Sequence, residues 1–233
     1  MKRRIVKLKK GEPLVVKGKV RVARKPRVIR LRAYADEVLT RLKREYPDAH
    51  TELDYETPLQ LLIATILSAQ CTDKRVNMVT PLLFRTFPTA AELADAPPEE
   101  LEGIIKSTGF FRNKRKSLIG LGKALVERHN GEVPDTMDAL VRLPGVGRKT
   151  ANVVLGNAFG KNEGVVVDTH VARVSLRLSL TKEIDPVRIE QDLMPLFPRQ
   201  DWALLSHLLI FHGRRVCVAR VPKCEICVLN DIC

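Results

Sequence analysis

The sequence predicts an all-α protein. Apolar residues recur at helical spacing, as where Leu59, Leu62, Ile63, Ile66 and Leu67 fall at i, i+3, i+4, i+7 and i+8 and share one helix face. Glycine and proline punctuate short loops between such stretches, and no alternating strand series or internal repeat is present. At 26.2 kDa the chain is long enough for one large or two small domains with real cores. Its hydrophobic content of 45% contains no long uninterrupted apolar run, so a soluble protein without a membrane span is expected.

In chain order the expected helices run Ala33–Tyr46, Pro58–Gln70, Asp73–Phe87, Pro98–Ser107, Arg112–Asn130, Asp135–Leu143, Gly147–Phe159, Asp168–Leu180, Pro186–Leu196 and Asp201–Phe211. Pro144 stops the sixth of these, and Asp168, which follows the apolar run Val165-Val166-Val167, reads as the N-cap of the eighth.

Charge is distributed unevenly. The net charge is +13, and residues 1–32 hold fourteen Lys or Arg against one acid, Glu12. The remaining chain has 26 basic and 26 acidic residues, so attraction to a polyanion within that body must come from local placement. Residues 1–32 contain no Ser and carry the alternation Val-Lys-Gly-Lys-Val-Arg-Val, unlike a secretory signal or an organelle transit peptide. They are expected to form a flexible basic arm that raises non-specific DNA affinity by counterion release.

Two stretches carry chemistry. In Leu143-Pro144-Gly145-Val146-Gly147-Arg148-Lys149-Thr150, two glycines bracket Val146, so the chain can reverse sharply and approach a ligand closely. The N–H groups of the helix that follows attract a phosphate, with Arg148 adding positive charge beside them. A helix N-terminus and a neighbouring Arg148 both disfavour an ammonium at Lys149 and so favour the neutral, nucleophilic amine. From this segment alone, Lys149 reads equally as a nucleophile forming a Schiff base at C1′ of a nucleotide or as a phosphate contact. Asp168, with its charged form favoured by capping, reads either as a structural cap or as a carboxylate that stabilises positive charge on a sugar.

The second stretch is Cys217-x6-Cys224-x2-Cys227-x5-Cys233, four of the five cysteines. Thiolates so spaced bind metal, and spacing alone accommodates zinc or an iron–sulfur cluster. Disulfides are disfavoured without a secretory signal, in a chain that reads as an intracellular enzyme.

Leu143 to Leu155 with Val167 to His170 closely resembles the helix-hairpin-helix DNA glycosylases, and Lys149 matches the branch that is both glycosylase and abasic-site lyase. The cysteine spacing matches the cluster loop of the endonuclease III family. The resemblance covers roughly residues 33–233. It implies a [4Fe–4S] cluster on Cys217, Cys224, Cys227 and Cys233, and a basic loop containing Arg220 and Lys223 set against DNA. It also implies a six-helix barrel domain over residues 51–162, a cluster domain built from residues 33–50 and 163–233, and an active site in the cleft between them. Gln70 would fill the hole left by an extruded nucleotide, whereas its own context favours capping the helix end. Phe110 and Phe111 are read as an aromatic pair at an exposed loop tip beside Arg112, Lys114, Arg115 and Lys116, either wedging into the base stack or folded back on the core. Phe110 departs from the aliphatic wedge usual in the family.

His170 is expected to contact phosphate, orient Asp168 or simply pack. His207, His212, Trp202 and Cys71 read as core or capping residues. The activity implied is base-excision repair of oxidised pyrimidines in damaged double-stranded DNA, by a monomer acting in the cytoplasm on nucleoid DNA. The rivals are a non-catalytic, metal-stabilised DNA-binding module and a glycosylase for another lesion class.

Overall fold

A computed structural model describes residues 27–233. Among these, eleven α-helices and three short 3-10 turns are found and no strand, in accord with the all-α expectation. The helices are α1 (Arg27–Glu45), α2 (Pro58–Leu67), α3 (Asp73–Thr86), α4 (Ala90–Ala94), α5 (Pro98–Ile105), α6 (Phe111–His129), α7 (Met137–Leu140), α8 (Arg148–Ala158), α9 (Thr169–Arg177), α10 (Pro186–Leu193) and α11 (Trp202–Arg215).

Local chemistry accounts for most starts. Thr57, Thr72, Thr89, Asp168 and Asp185 each accept a bond from a backbone N–H in the first turn of the helix that follows. Pro58 and Pro186 occupy first-turn positions, where their missing N–H costs nothing. Helix α2 is buried along Leu61–Leu67, so its stripe broadens into an all-round apolar surface and the helix sits centrally.

Four expectations change. Helix α1 begins at Arg27, so residues 27–32 belong to a helix rather than to the arm, and Arg32 Nε donates to Pro195 O at 3.0 Å. The arm's remainder, residues 1–26, lies outside the described residues. Helix α2 stops at Leu67, and Gln70 falls in the turn beyond it with φ +52. The expected Asp135–Leu143 helix contracts to Met137–Leu140. Finally, α4 has no counterpart among the expected helices. Five residues are too few to display a helical period, and its signal is the reciprocal capping box between Thr89 and Glu92.

Two apolar cores form. One gathers side chains from Leu53 to Leu155, including Leu61, Leu62, Leu83, Leu118 and Leu155. The other joins α1 to the C-terminal third through Leu42, Val171, Ile189, Leu205, Leu209 and Leu229. Truncating any of these fully buried leucines to alanine costs about 2–5 kcal/mol. Helices α8 and α11 meet across the boundary between the cores, which places the N-terminus of α8 beside the loop that enters α9.

Candidate active site

The glycine turn is built as its sequence requires. Gly145 has φ +78, a region favouring glycine, and a Cβ there would stand 2.7 Å from Ser117 Cβ. Gly147 is extended and serves as the N-cap of α8 without a side-chain cap, so the first N–H groups of α8 remain available to an anion. Lys149 is exposed at the second position of that helix. Among the described residues its amine has neither an acidic partner nor a hydrogen bond.

Arg148 is engaged elsewhere. Its Nε and Nη2 donate to Glu190 Oε2 and Oε1, both at 2.9 Å, and Asn152 Nδ2 donates to Glu190 Oε1 at 3.0 Å. Glu190 is buried, and the pair raises the Arg148 pKa further. The guanidinium expected to grip phosphate and bear on Lys149 is thus bidentate to a carboxylate of α10, which offsets its charge.

Asp168 caps α9: its Oδ1 accepts from His170 N and Val171 N, both at 2.8 Å. Oδ2 has no donor among the described residues. Lys149, from the first core, and Asp168, from the second, border one cavity of about 120 Å³. Asn157, His207 and Arg214 share its walls. His207 bonds Asn157 Oδ1 through Nε2 at 2.8 Å, and burial pushes its pKa down to about 4, so the ring is neutral at physiological pH. Arg214 spans the mouth between Glu52 and Asp73, donating to Asp73 Oδ2 at 2.7 Å. Local pattern does not single out Asn157 or Arg214 and reads His207 as a core or capping residue. Their partners lie 50, 141 and 162 residues away, beyond any local pattern.

His170 is half-buried, with Nδ1 3.2 Å from Arg173 Nη2; burial lowers its pKa while Asp168 raises it. Gln70 and Phe110 are both exposed and both left-handed, at φ +52 and +48. The expectation of an aromatic pair at an exposed loop tip needs correction at Phe111, which starts α6 and packs its side chain on the first core. Of the four basic residues there, Lys114 is buried and Arg115 pairs with Glu102 at 2.9 Å. Arg112 and Lys116 remain exposed.

The four C-terminal cysteines border a second cavity, between α9, the end of α11 and the final loop. Among the described residues no three His, Cys, Asp or Glu side chains converge as a single ion requires. Four thiols around one space suit a cluster with one ligand per iron. Burial is the largest influence on Cys227 and Cys233 and pushes both thiols up, opposed at Cys233 by Arg177. Polar groups surround the sulfurs: Arg177 Nη1 donates to Cys217 Sγ at 3.3 Å, Leu229 N donates to Cys227 Sγ at 3.4 Å, and His212 Nε2 lies 3.5 Å from the same sulfur. Arg220 and Lys223 are exposed on this loop.

Comparison with known proteins gives the same two regions. Residues 63–199 match the HhH-GPD superfamily base excision DNA repair proteins, and residues 217–233 match the iron–sulfur binding domain of endonuclease III. Endonuclease III of Synechocystis sp. is 57% identical over 199 residues, spanning 85% of this chain and 91% of the relative. The chain belongs to the endonuclease III family of the HhH-GPD superfamily. Among solved structures, a non-covalent endonuclease III–DNA complex superposes with a TM-score of 0.81 at 43% identity, covering 88% of this chain and 94% of that one. A trapped endonuclease III–DNA covalent intermediate gives the same score and identity, with 95% of that chain covered. As in that family, the cofactor is a [4Fe–4S] cluster, and Cys217, Cys224, Cys227 and Cys233 are the residues here able to hold it.

Proposed function

We propose that this endonuclease III family member is a bifunctional DNA glycosylase and abasic-site lyase, with Lys149 as nucleophile and Asp168 as its carboxylate partner. The observation that carries the assignment is geometric. A lysine at a helix N-terminus, unpaired among the described residues, and a carboxylate with one oxygen free of donors among them border the same cavity. A covalent protein–DNA intermediate trapped in a solved relative supports the same chemistry.

The substrate is damaged double-stranded DNA, bound by a monomer, with the damaged pyrimidine nucleotide turned out of the stack. Extrusion costs a few kcal/mol and least for a badly stacked base. Uncapped N–H groups at Gly147–Lys149 hold a phosphate, and Gly145 permits the close approach. The Lys149 amine lone pair forms a bond to C1′ as the glycosidic bond breaks, and the electron pair leaves with the base, which takes up a proton. Asp168 stabilises positive charge on the sugar and accepts the proton shed by the lysine nitrogen. Opening of the C1′–O4′ bond gives the Schiff base. Loss of a C2′ proton then expels the 3′ phosphate, cutting the strand 3′ to the lesion.

Gln70 and Phe110 enter the duplex where the nucleotide leaves, supported by their exposure and by the absence of any capping bond from Gln70 among the described residues. Phe111 backs Phe110 from the core side. His170 acts beside Asp168, and Arg220 and Lys223 contact the DNA backbone from the loop held by the cluster. Arg148 acts chiefly by tying the hairpin to α10. Residues 1–26 supply non-specific affinity for nucleoid DNA. The described residues include no helix long and apolar enough to cross a membrane.

The test is release of oxidised pyrimidines from duplex DNA, run against purine lesions. Wild type releases the pyrimidines. Lys149→Ala abolishes release and strand cleavage, and Asp168→Asn lowers the rate on the order of a hundredfold, the scale of a lost proton-transfer group. Undiminished release by Lys149→Ala refutes the assignment.

A further inference from the structure

Lys114 is a lysine that the catalytic site does not use and that has no carboxylate partner among the described residues. Only 5% of it is exposed. Its Nζ donates to two carbonyls far apart in sequence, Leu67 O at 2.7 Å and Thr108 O at 2.9 Å. Burial pushes its pKa below the usual lysine range, with the nearby Cys71 acting the other way.

Both carbonyls end a helical element. Leu67 is the last residue of α2, and Thr108 is the last residue of the 3-10 turn Lys106–Thr108. Such terminal carbonyls lack intrahelical donors and carry the negative end of the helix dipole, which an ammonium complements. Each also stands just before a turn with a left-handed residue. Gln70 follows Leu67 by three positions, and Phe110 follows Thr108 by two. The backbone N–H of Lys114 in addition donates to Phe110 O at 3.1 Å, so Phe110 is held from its own carbonyl and from the carbonyl two residues before it.

We propose that Lys114 is a positioning residue that joins the Gln70 and Phe110 turns and so sets the spacing of the two side chains entering the duplex. The functional half rests on the reading that Gln70 and Phe110 enter DNA. The structural half does not. An apolar side chain of the same length would leave two buried carbonyls unpaired, and both turns would loosen together.

The experiment uses the full-length, cluster-bearing protein and the variant Lys114→Met, in the wild-type background and in Gln70→Ala/Phe110→Ala. Two quantities are read: amide hydrogen exchange at residues 68–71 and 109–113 without DNA, and affinity for a duplex carrying a stable abasic-site analogue. The expected result is faster exchange at both turns and affinity weakened about tenfold or more, the scale of a lost charged hydrogen bond. In the doubly substituted background the same change costs at most about twofold, because the side chains it positions are gone. A general loss of stability would lower affinity equally in both backgrounds, and that outcome overturns the proposal, as does faster exchange at one turn only. Should Lys114→Met fail to fold, Lys114→Ala, which removes both bonds and leaves room for water at the two carbonyls, takes its place with the same two criteria. If Gln70→Ala/Phe110→Ala alone leaves affinity unchanged, the insertion reading fails, while the exchange data still decide whether Lys114 joins the turns.

Discussion

Glu190 offers a quantitative test of how the hairpin is held. Its carboxylate, with 7% of the side chain exposed, accepts three bonds from α8, two from Arg148 and one from Asn152. Glu190→Gln keeps the size, removes the charge and turns an amide donor toward donors. A hydrogen bond to a charged group contributes about 1.5–3 kcal/mol. Arg148 has 45% of its side chain exposed, so water replaces part of its loss. Asn152 has no such recourse: it is buried and its Oδ1 already lacks a partner. The expected net loss is about 2–3 kcal/mol, or roughly 5–10 °C in melting temperature for a chain of this size. Urea unfolding of the cluster-bearing protein measures it, with Arg148→Ala and the double variant completing a cycle. A change below about 0.5 kcal/mol, the scale of an ordinary surface substitution, or full additivity in the cycle, refutes the reasoning.

Three further outcomes are expected. Gly164→Ala places a Cβ that overlaps Glu190 Oε1 and stands 2.6 Å from Asn152 Nδ2, so it destabilises by at least as much as Glu190→Gln, read in the same unfolding assay. His207 has a folded-state pKa of about 4 against 6.5 unfolded, so the unfolded chain takes up the proton first and stability falls as pH drops from about 6.5 to 4. The slope from this residue approaches about 1.4 kcal/mol per pH unit, and urea titrations of His207→Gln at several pH values should show it removed. Deleting residues 1–26, which stops short of α1, should weaken DNA binding and flatten the plot of log affinity against log salt while strand cleavage of bound DNA is retained; an unchanged slope contradicts the role given to the arm.

What could be read from the sequence was what local chemistry specifies. The Gly145–Gly147 turn, the Asp168 cap and the apolar stripe of α2 follow from residue type and spacing, and the structure shows each. The spacing of the four cysteines announced a metal site in the same way. Local pattern failed where distant groups decide. Lys114 reads as one cation in a basic run, yet the carbonyl of Leu67, 47 residues away, makes it a buried donor. Arg148 reads as a phosphate ligand until Glu190, 42 residues on, takes its guanidinium. Gln70 continues an apolar helix by composition, but the chain turns after Leu67 and sets it left-handed and exposed. Helix α4 failed for a different reason, since a capping box without a following periodic stretch is easily read as a loop.

The central claim is a covalent bond between Lys149 and C1′, and reductive trapping tests it most directly. Borohydride added during turnover on an oxidised-pyrimidine duplex should reduce the Schiff base to a stable protein–DNA adduct, and peptide mapping should find the sugar remnant on Lys149. Lys149→Ala should give no adduct. An adduct mapping to another residue, or one formed equally well by Lys149→Ala, would contradict the account.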